Sequence, residues 1–296
     1  MAKSGELSLF KLTWPIFLEL FLFMLMGLAD TFMLSAVSDD AVAGVGAANQ
    51  YIQISILILG VIGTGASIVV SQYLGSKLEL EAAKISALSV TLNVFVGLII
   101  SACFVVFSGQ IMTLMNLEDD VLIFAKNYLA IVGGFIFFQA LITSLSSIIR
   151  VQGWTKQTMY VSLGMNLLHV LLNYVLIFGH FGAPALGVEG AAISSVISRA
   201  LAAIVFFWLL YQALDVKIEL RYYYTFSKEY IKKVLQIGIP SAFEQVLYQT
   251  CQIVFLYYVT YIGATSLAAR QYAVNISMFT YLFAIAIGMG TAILIG

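Results

Sequence analysis

The sequence predicts an all-α polytopic membrane protein of about eight transmembrane helices, a six-helix lobe followed by the first two helices of a second, parallel-repeat lobe. Three observations carry this. Apolar residues make up 61% of the chain and charged ones 10%, with a mean hydropathy of +1.00, too apolar for a domain that must clothe its surface in water. The apolar residues fall into long runs separated by short charged stretches. An internal match spans the first and last of those runs.

A helix needs about 20 predominantly apolar residues to cross a bilayer. On that criterion the spans fall at 12–37, 48–74, 85–107, 122–148, 158–179, 188–212, 234–261 and 266–296. The first is too long for a cleaved signal and lacks a small-residue cleavage site, so it stays as a span. Cys103 and Cys251 both lie inside apolar runs, which gives no disulfide framework to expect. The formal charge is −1 and no basic patch with interleaved aromatics appears, so membrane lipid, not nucleic acid, is the expected surrounding partner.

Orientation follows from the short loops. Lys3, Lys11, Lys77, Lys84, Arg150, Lys156, Lys217, Arg221, Lys228, Lys232 and Lys233 share one side, against Lys126 and Arg270 on the other. The poorer side is instead acidic, with Asp39, Asp40, Glu118, Asp119 and Asp120. The N-terminus is therefore expected in the cytoplasm. The domain reading is residues 1–214 as the first lobe, 215–233 as a cytoplasmic connector and 234–296 as the start of the second. The connector, "DVKIELRYYYTFSKEYIKK", alternates charge around a tyrosine cluster. It reads equally as an amphipathic interfacial segment or a solvated linker with aromatics at headgroup depth.

The repeat appears at an ungapped offset of 225. It pairs Pro15 with Pro240, Glu19 with Glu244, Gly63 with Gly288 and Gly65 with Gly290. Shared apolar composition explains one such match, less readily a set at a single offset. Six spans separate the copies, so both start on the same side, as parallel repeats do.

Intramembrane acids are costly and are functional candidates by default. Glu19 and Asp30 are eleven residues apart, within about 20° of one helix face and ~16 Å apart along the axis. A carboxyl group held away from water favours its neutral form, a property suited to loading and releasing a proton. The plain alternative for Asp30 is a helix-end acid near the outer headgroups. Glu19 and Glu244 each lie one turn after a proline, and a purely structural pairing at the lobe interface weighs evenly against function. Asn166, His169 and Asn173 share one face of the fifth span, from which they could bridge to Asp30. Ser195 and Arg199 lie a turn apart in the sixth, where Arg199 calls for a carboxylate partner, with Asp30 and Glu19 as candidates. No metal-ligand spacing appears.

Several stretches together resemble the multidrug and toxic compound extrusion (MATE) transporters: "GLADTFMLS" (27–35), "AVAGVGAANQ" (41–50), "VSQYLGSKLELEAAK" (70–84), "IRVQGWTKQTMY" (149–160), "LLNYVLIFG" (171–179), "LGVEGAAISSVISR" (186–199) and "IGIPSAFEQ" (237–245). The resemblance implies about twelve spans in two lobes around a central cavity. It implies export of amphipathic, often cationic drugs or metabolites across the plasma membrane in exchange for H+ or Na+, with no other cofactor. This chain stops after the eighth expected span, so by itself it is expected not to transport. The match to the family's "DT" motif makes Asp30 the favoured coupling residue. Two departures leave the ion open: Tyr248 stands where cation-binding members have an acid, and Asn173 where others have an acid in the fifth span. Rival readings are a lipid or lipid-linked oligosaccharide flippase of related fold, an intramembrane enzyme and a channel. A flippase would line its cavity with several basic residues, an enzyme needs a nucleophile–base or metal constellation, and a repeat argues against a channel.

Overall fold

The computed structural model describes residues 8–115, 117–213, 219–260 and 264–295. Lys3, Lys217, residues 215–218 of the connector, position 261 at the end of the seventh predicted span and Gly296 lie outside the described residues, as does the Arg270 side chain. The described residues are helical, with no strand among them. In chain order they form α1 (Leu9–Ser35), α2 (Asp39–Gly75), α3 (Glu79–Thr113), α4 (Asp119–Tyr128), α5 (Phe137–Val151), α6 (Thr155–Phe178), α7 (Val188–Ala213), the single turn α8 (Leu220–Tyr224), α9 (Lys228–Thr260) and α10 (Ala264–Ile295).

Helix ends follow capping chemistry more closely than hydropathy. The second span starts at Asp39, nine residues before the apolar run, because the Ser38 hydroxyl accepts the Ala41 amide (3.0 Å) and Asp39 and Asp40 fill the first turn. Both features favour a helix N-terminus. Glu79 and Glu81 do the same for α3. The fourth predicted span is broken: α4 passes through a π-helical turn at Leu129–Gly133 and bends by 49° into α5. Such turns widen the hydrogen-bond ladder and kink the helix axis.

Among the described residues, six segments are long and apolar enough to span a membrane, and the bent α4–α5 pair makes a seventh. The seventh predicted span, 234–261, lies in α9, which has the length at 33 residues but not the apolarity. Glu244, Gln245, Gln249 and Gln252 interrupt it.

Helices α1 to α7 pack as a bundle. One core lies toward the C-terminal end of α1, around Leu34, Ile52, Leu129 and Ile136. Another lies at the opposite end, around Leu145, Ile148, Phe206 and Leu210. Tyr222 of α8 is buried in that second core, and the Tyr223 carbonyl accepts the Thr91 hydroxyl at 2.9 Å. The described part of the connector is thus docked on the bundle, not a free linker.

Helices α9 and α10 meet the bundle through two equivalent contacts, α2 on α9 and α1 on α10. A Cβ on Gly65 would overlap the Val234 carbonyl, and one on Gly238 would overlap the Val61 carbonyl. Only glycine permits this reciprocal approach of two backbones. At the offset of 225, Gly65 corresponds to Gly290, whose added Cβ would sit 2.8 Å from the Thr13 hydroxyl on α1. Both contacts therefore reuse one interface, as a parallel repeat about a two-fold axis requires.

Candidate functional site

Two buried polar clusters hang from α1, one on each carboxylate. The first surrounds Asp30. The Asn173 amide donates to its Oδ1 at 2.6 Å, and His169 Nε2 lies 2.7 Å from the same oxygen. Ser198 Oγ approaches His169 Nδ1 at 3.4 Å. With Nε2 protonated, neutral His169 donates to Asp30, while the Ser198 hydroxyl beside Nδ1 donates to the Ser195 carbonyl at 3.1 Å. His169 and Asn173 are four residues apart on α6, so helical geometry brings both to one acid across the α1–α6 contact. Asp30 itself keeps 17% of its side-chain surface exposed.

Other predicted residues fall around this cluster without joining it. Asn166 shares the α6 face and is buried, and both its amide atoms lack a hydrogen-bond partner among the described residues. Arg199 is half-buried on α7, with its enclosed Nη1 likewise lacking a hydrogen-bond partner among the described residues. Its electrostatic neighbours are Tyr128 and Asp30, but it forms no contact ion pair with either acid of α1. Ser195 and Asn49 sit beside the Tyr128 hydroxyl. Tyr128 and Ser198 escaped the sequence reading: the tyrosine lies just before the unforeseen π-turn, and Ser198 looks like one of several span serines.

The second cluster fixes Glu19, nearly wholly buried. Arg150 Nη1 donates to its Oε2 at 3.0 Å and the Ser162 hydroxyl to its Oε1 at 2.9 Å. Arg150 Nη2 lies 3.4 Å from both Ser146 and Ser147 hydroxyls. The cluster joins α1 to α5 and α6 inside the first bundle. Glu19 thus pairs with Arg150, neither with Arg199 nor across the lobe interface. Arg150 went unselected because it reads as a cytoplasmic loop charge, whereas α5 continues to Val151 and carries it inward.

Glu244 and Tyr248 are not brought to either cluster. Both are exposed on α9, and Tyr248 stacks on Tyr281 of α10 with ring centres 6.3 Å apart. A neighbouring face of α9 borders a cavity of about 650 Å³ between it, α1, α2, α5 and α10. Gln53, Thr64, Arg150, Gln245 and Gln249 supply its main polar groups, and Leu20, Ile54, Leu57 and Met289 its apolar wall. This face is why α9 is less apolar than the other spans. Among the described residues, groups of three or more histidine, cysteine or acidic side chains able to hold a metal are absent.

The family model that matches this sequence is described as MatE and covers residues 15–175 and 240–296. The chain belongs to the MatE family. Its similarity to the uncharacterized transporter YisQ of Bacillus subtilis is 43% identity over 289 residues, 98% of this chain and 64% of YisQ. Against the probable multidrug resistance protein NorM of Thermotoga maritima it is 28% identical over 290 residues, 98% of this chain and 62% of that protein. A solved multidrug resistance MATE family transporter of the MOP superfamily, in an outward-facing conformation, superposes with a TM-score of 0.84 at 21% identity, covering 97% of this chain and 63% of that one. The chain thus spans somewhat less than two thirds of the relatives it matches. Members of this family are integral membrane transporters, and this chain is an integral membrane protein by family and by its apolar helices.

Proposed function

We propose that the protein is a secondary active exporter that moves small amphipathic molecules out of the cell in exchange for protons, its N-terminus cytoplasmic and its helices in the plasma membrane. The carrying observation is Asp30 with His169 Nε2 and the Asn173 amide both within hydrogen-bond distance of one of its oxygens. Sodium is coordinated by several oxygens, as other hard cations are, whereas this acid faces two nitrogen groups. A proton fits better: its arrival removes the charge that both donors satisfy, and its departure restores it. Protonation frees α6 from α1 and biases one arrangement of the cavity over another, so that substrate and proton compete through the bundle. The family match and the repeat support alternating access of two lobes.

The test is proteoliposome transport by the product of the complete reading frame. An imposed proton gradient should drive accumulation of a fluorescent amphipath, nigericin should stop it, and a sodium gradient at uniform pH should drive none. Accumulation under the sodium gradient alone would overturn proton coupling. Passive equilibration without any gradient dependence would indicate a channel.

A further inference from the structure

The cavity between α2, α5 and α9 carries a charge pattern that the proton site does not explain. Arg150 is the one ionic group on its lining among the described residues, and carboxylates are absent from that lining. Glu19, which neutralises Arg150, stands behind it with 3% of its side-chain surface exposed, against 13% for the arginine. The pair is therefore oriented: its positive end faces the cavity and its negative end is sealed into the α1–α6 contact. Arg150 also borders a second cavity of about 200 Å³ between α2, α5 and α10, so it stands where the two spaces adjoin. The amides of Gln53, Gln245 and Gln249 provide uncharged donors around the larger space.

An organic cation entering this cavity would lose water and meet no counter-charge, a costly exchange. An acceptor oxygen would meet a guanidinium and glutamine N–H donors, and charge-assisted bonds of this kind are the strong ones. We infer that the cavity binds amphipathic molecules presenting a carboxylate to Arg150 and the glutamines, with the aliphatic part along Leu20, Ile54 and Leu57. This departs from the cationic substrates that the family resemblance implies. It rests on the exporter reading only in taking the cavity as the place where substrate sits.

Two fluorescent probes test it by equilibrium titration of the chain in neutral-lipid nanodiscs: dansylamino-undecanoate and a dansylated alkylammonium of the same chain length. The carboxylate should bind about tenfold tighter or more, a margin typical of one charge-assisted contact. The Glu19→Gln/Arg150→Gln double variant, which leaves no lone buried charge, should abolish the preference. Gln245→Leu, which leaves the ion pair intact, should weaken the carboxylate by about threefold and spare the ammonium. Equal binding, tighter ammonium binding, absence of binding, or a preference that survives the double variant would each overturn the inference. Because no gradient is involved, loss of proton-driven transport would sink the exporter reading and leave this preference standing, and the reverse holds equally.

Discussion

Helices α1 and α9 begin alike and end in different chemistry. Each has a proline followed one turn later by a glutamate, and each packs on a helix that presents a glycine at the crossing, Gly290 for α1 and Gly65 for α9. In α1 the glutamate is buried against Arg150 and Ser162; in α9 Glu244 is exposed. Eleven residues on, α1 carries Asp30, held by His169 and Asn173, whereas α9 carries the exposed Phe255. The lobe interface is thus common to both copies, and the buried acid–histidine–asparagine cluster belongs to one. What distinguishes the two copies is the helices behind the carboxylates: α5 and α6 enclose Glu19, and α6 supplies both partners of Asp30.

The sharpest way to break this comparison is Asp30→Asn. The amide keeps the size of the side chain and can still accept from Asn173, but it cannot exchange a proton. Proton-driven accumulation should fall to the level of empty liposomes while expression and thermal stability stay near wild type. Full transport would move the coupling elsewhere. Glu19→Gln comes next, read as stability. Removing one partner of a buried ion pair leaves the other uncompensated, at a cost of about 3–5 kcal/mol. Glu19→Gln/Arg150→Gln should recover most of that loss in a denaturation series in mild detergent, and an equal loss in both variants would show that Arg150 does not need its partner. The shared interface gives a smaller effect. Gly65→Ala must push the Val234 backbone away and should cost about 1–3 kcal/mol, as overpacking does. Gly60→Ala, on the same helix with open space around it, should be neutral or stabilising by up to about 1 kcal/mol. Similar melting temperatures for the two would contradict the tight α2–α9 crossing.

The spans were legible because apolar composition over about 20 residues has few other meanings. The Asp30 cluster was legible in its α6 half: the three- and four-residue spacing of Asn166, His169 and Asn173 places them on one face whatever the neighbours do. Which acid they meet depends on how α1 lies on α6, and no spacing in the chain encodes that. Arg150 shows the opposite failure. Counted by loop charge it belongs outside, yet α5 extends past the apolar run and the guanidinium reaches back to Glu19. The bend before α5 was equally hidden, since a π-turn leaves no periodicity of its own. Span seven was located by its apolar residues, while its glutamines make sense only once the cavity beside it is known.

Glu244→Gln is expected to have the smallest effect, and it separates inheritance from use. If the glutamate of α9 matters in this chain only as the repeat of Glu19, replacing it removes a charge that no arginine among the described residues is holding. Stability should then shift by no more than about 0.5 kcal/mol, the usual range for an exposed position away from packed features. The contrast with Glu19→Gln should exceed about 2 kcal/mol, because only the first copy has its charge sealed from solvent. Equal losses at the two positions would mean that Glu244 is held as firmly as Glu19, and that the two helices differ less in their surroundings than in their sequence.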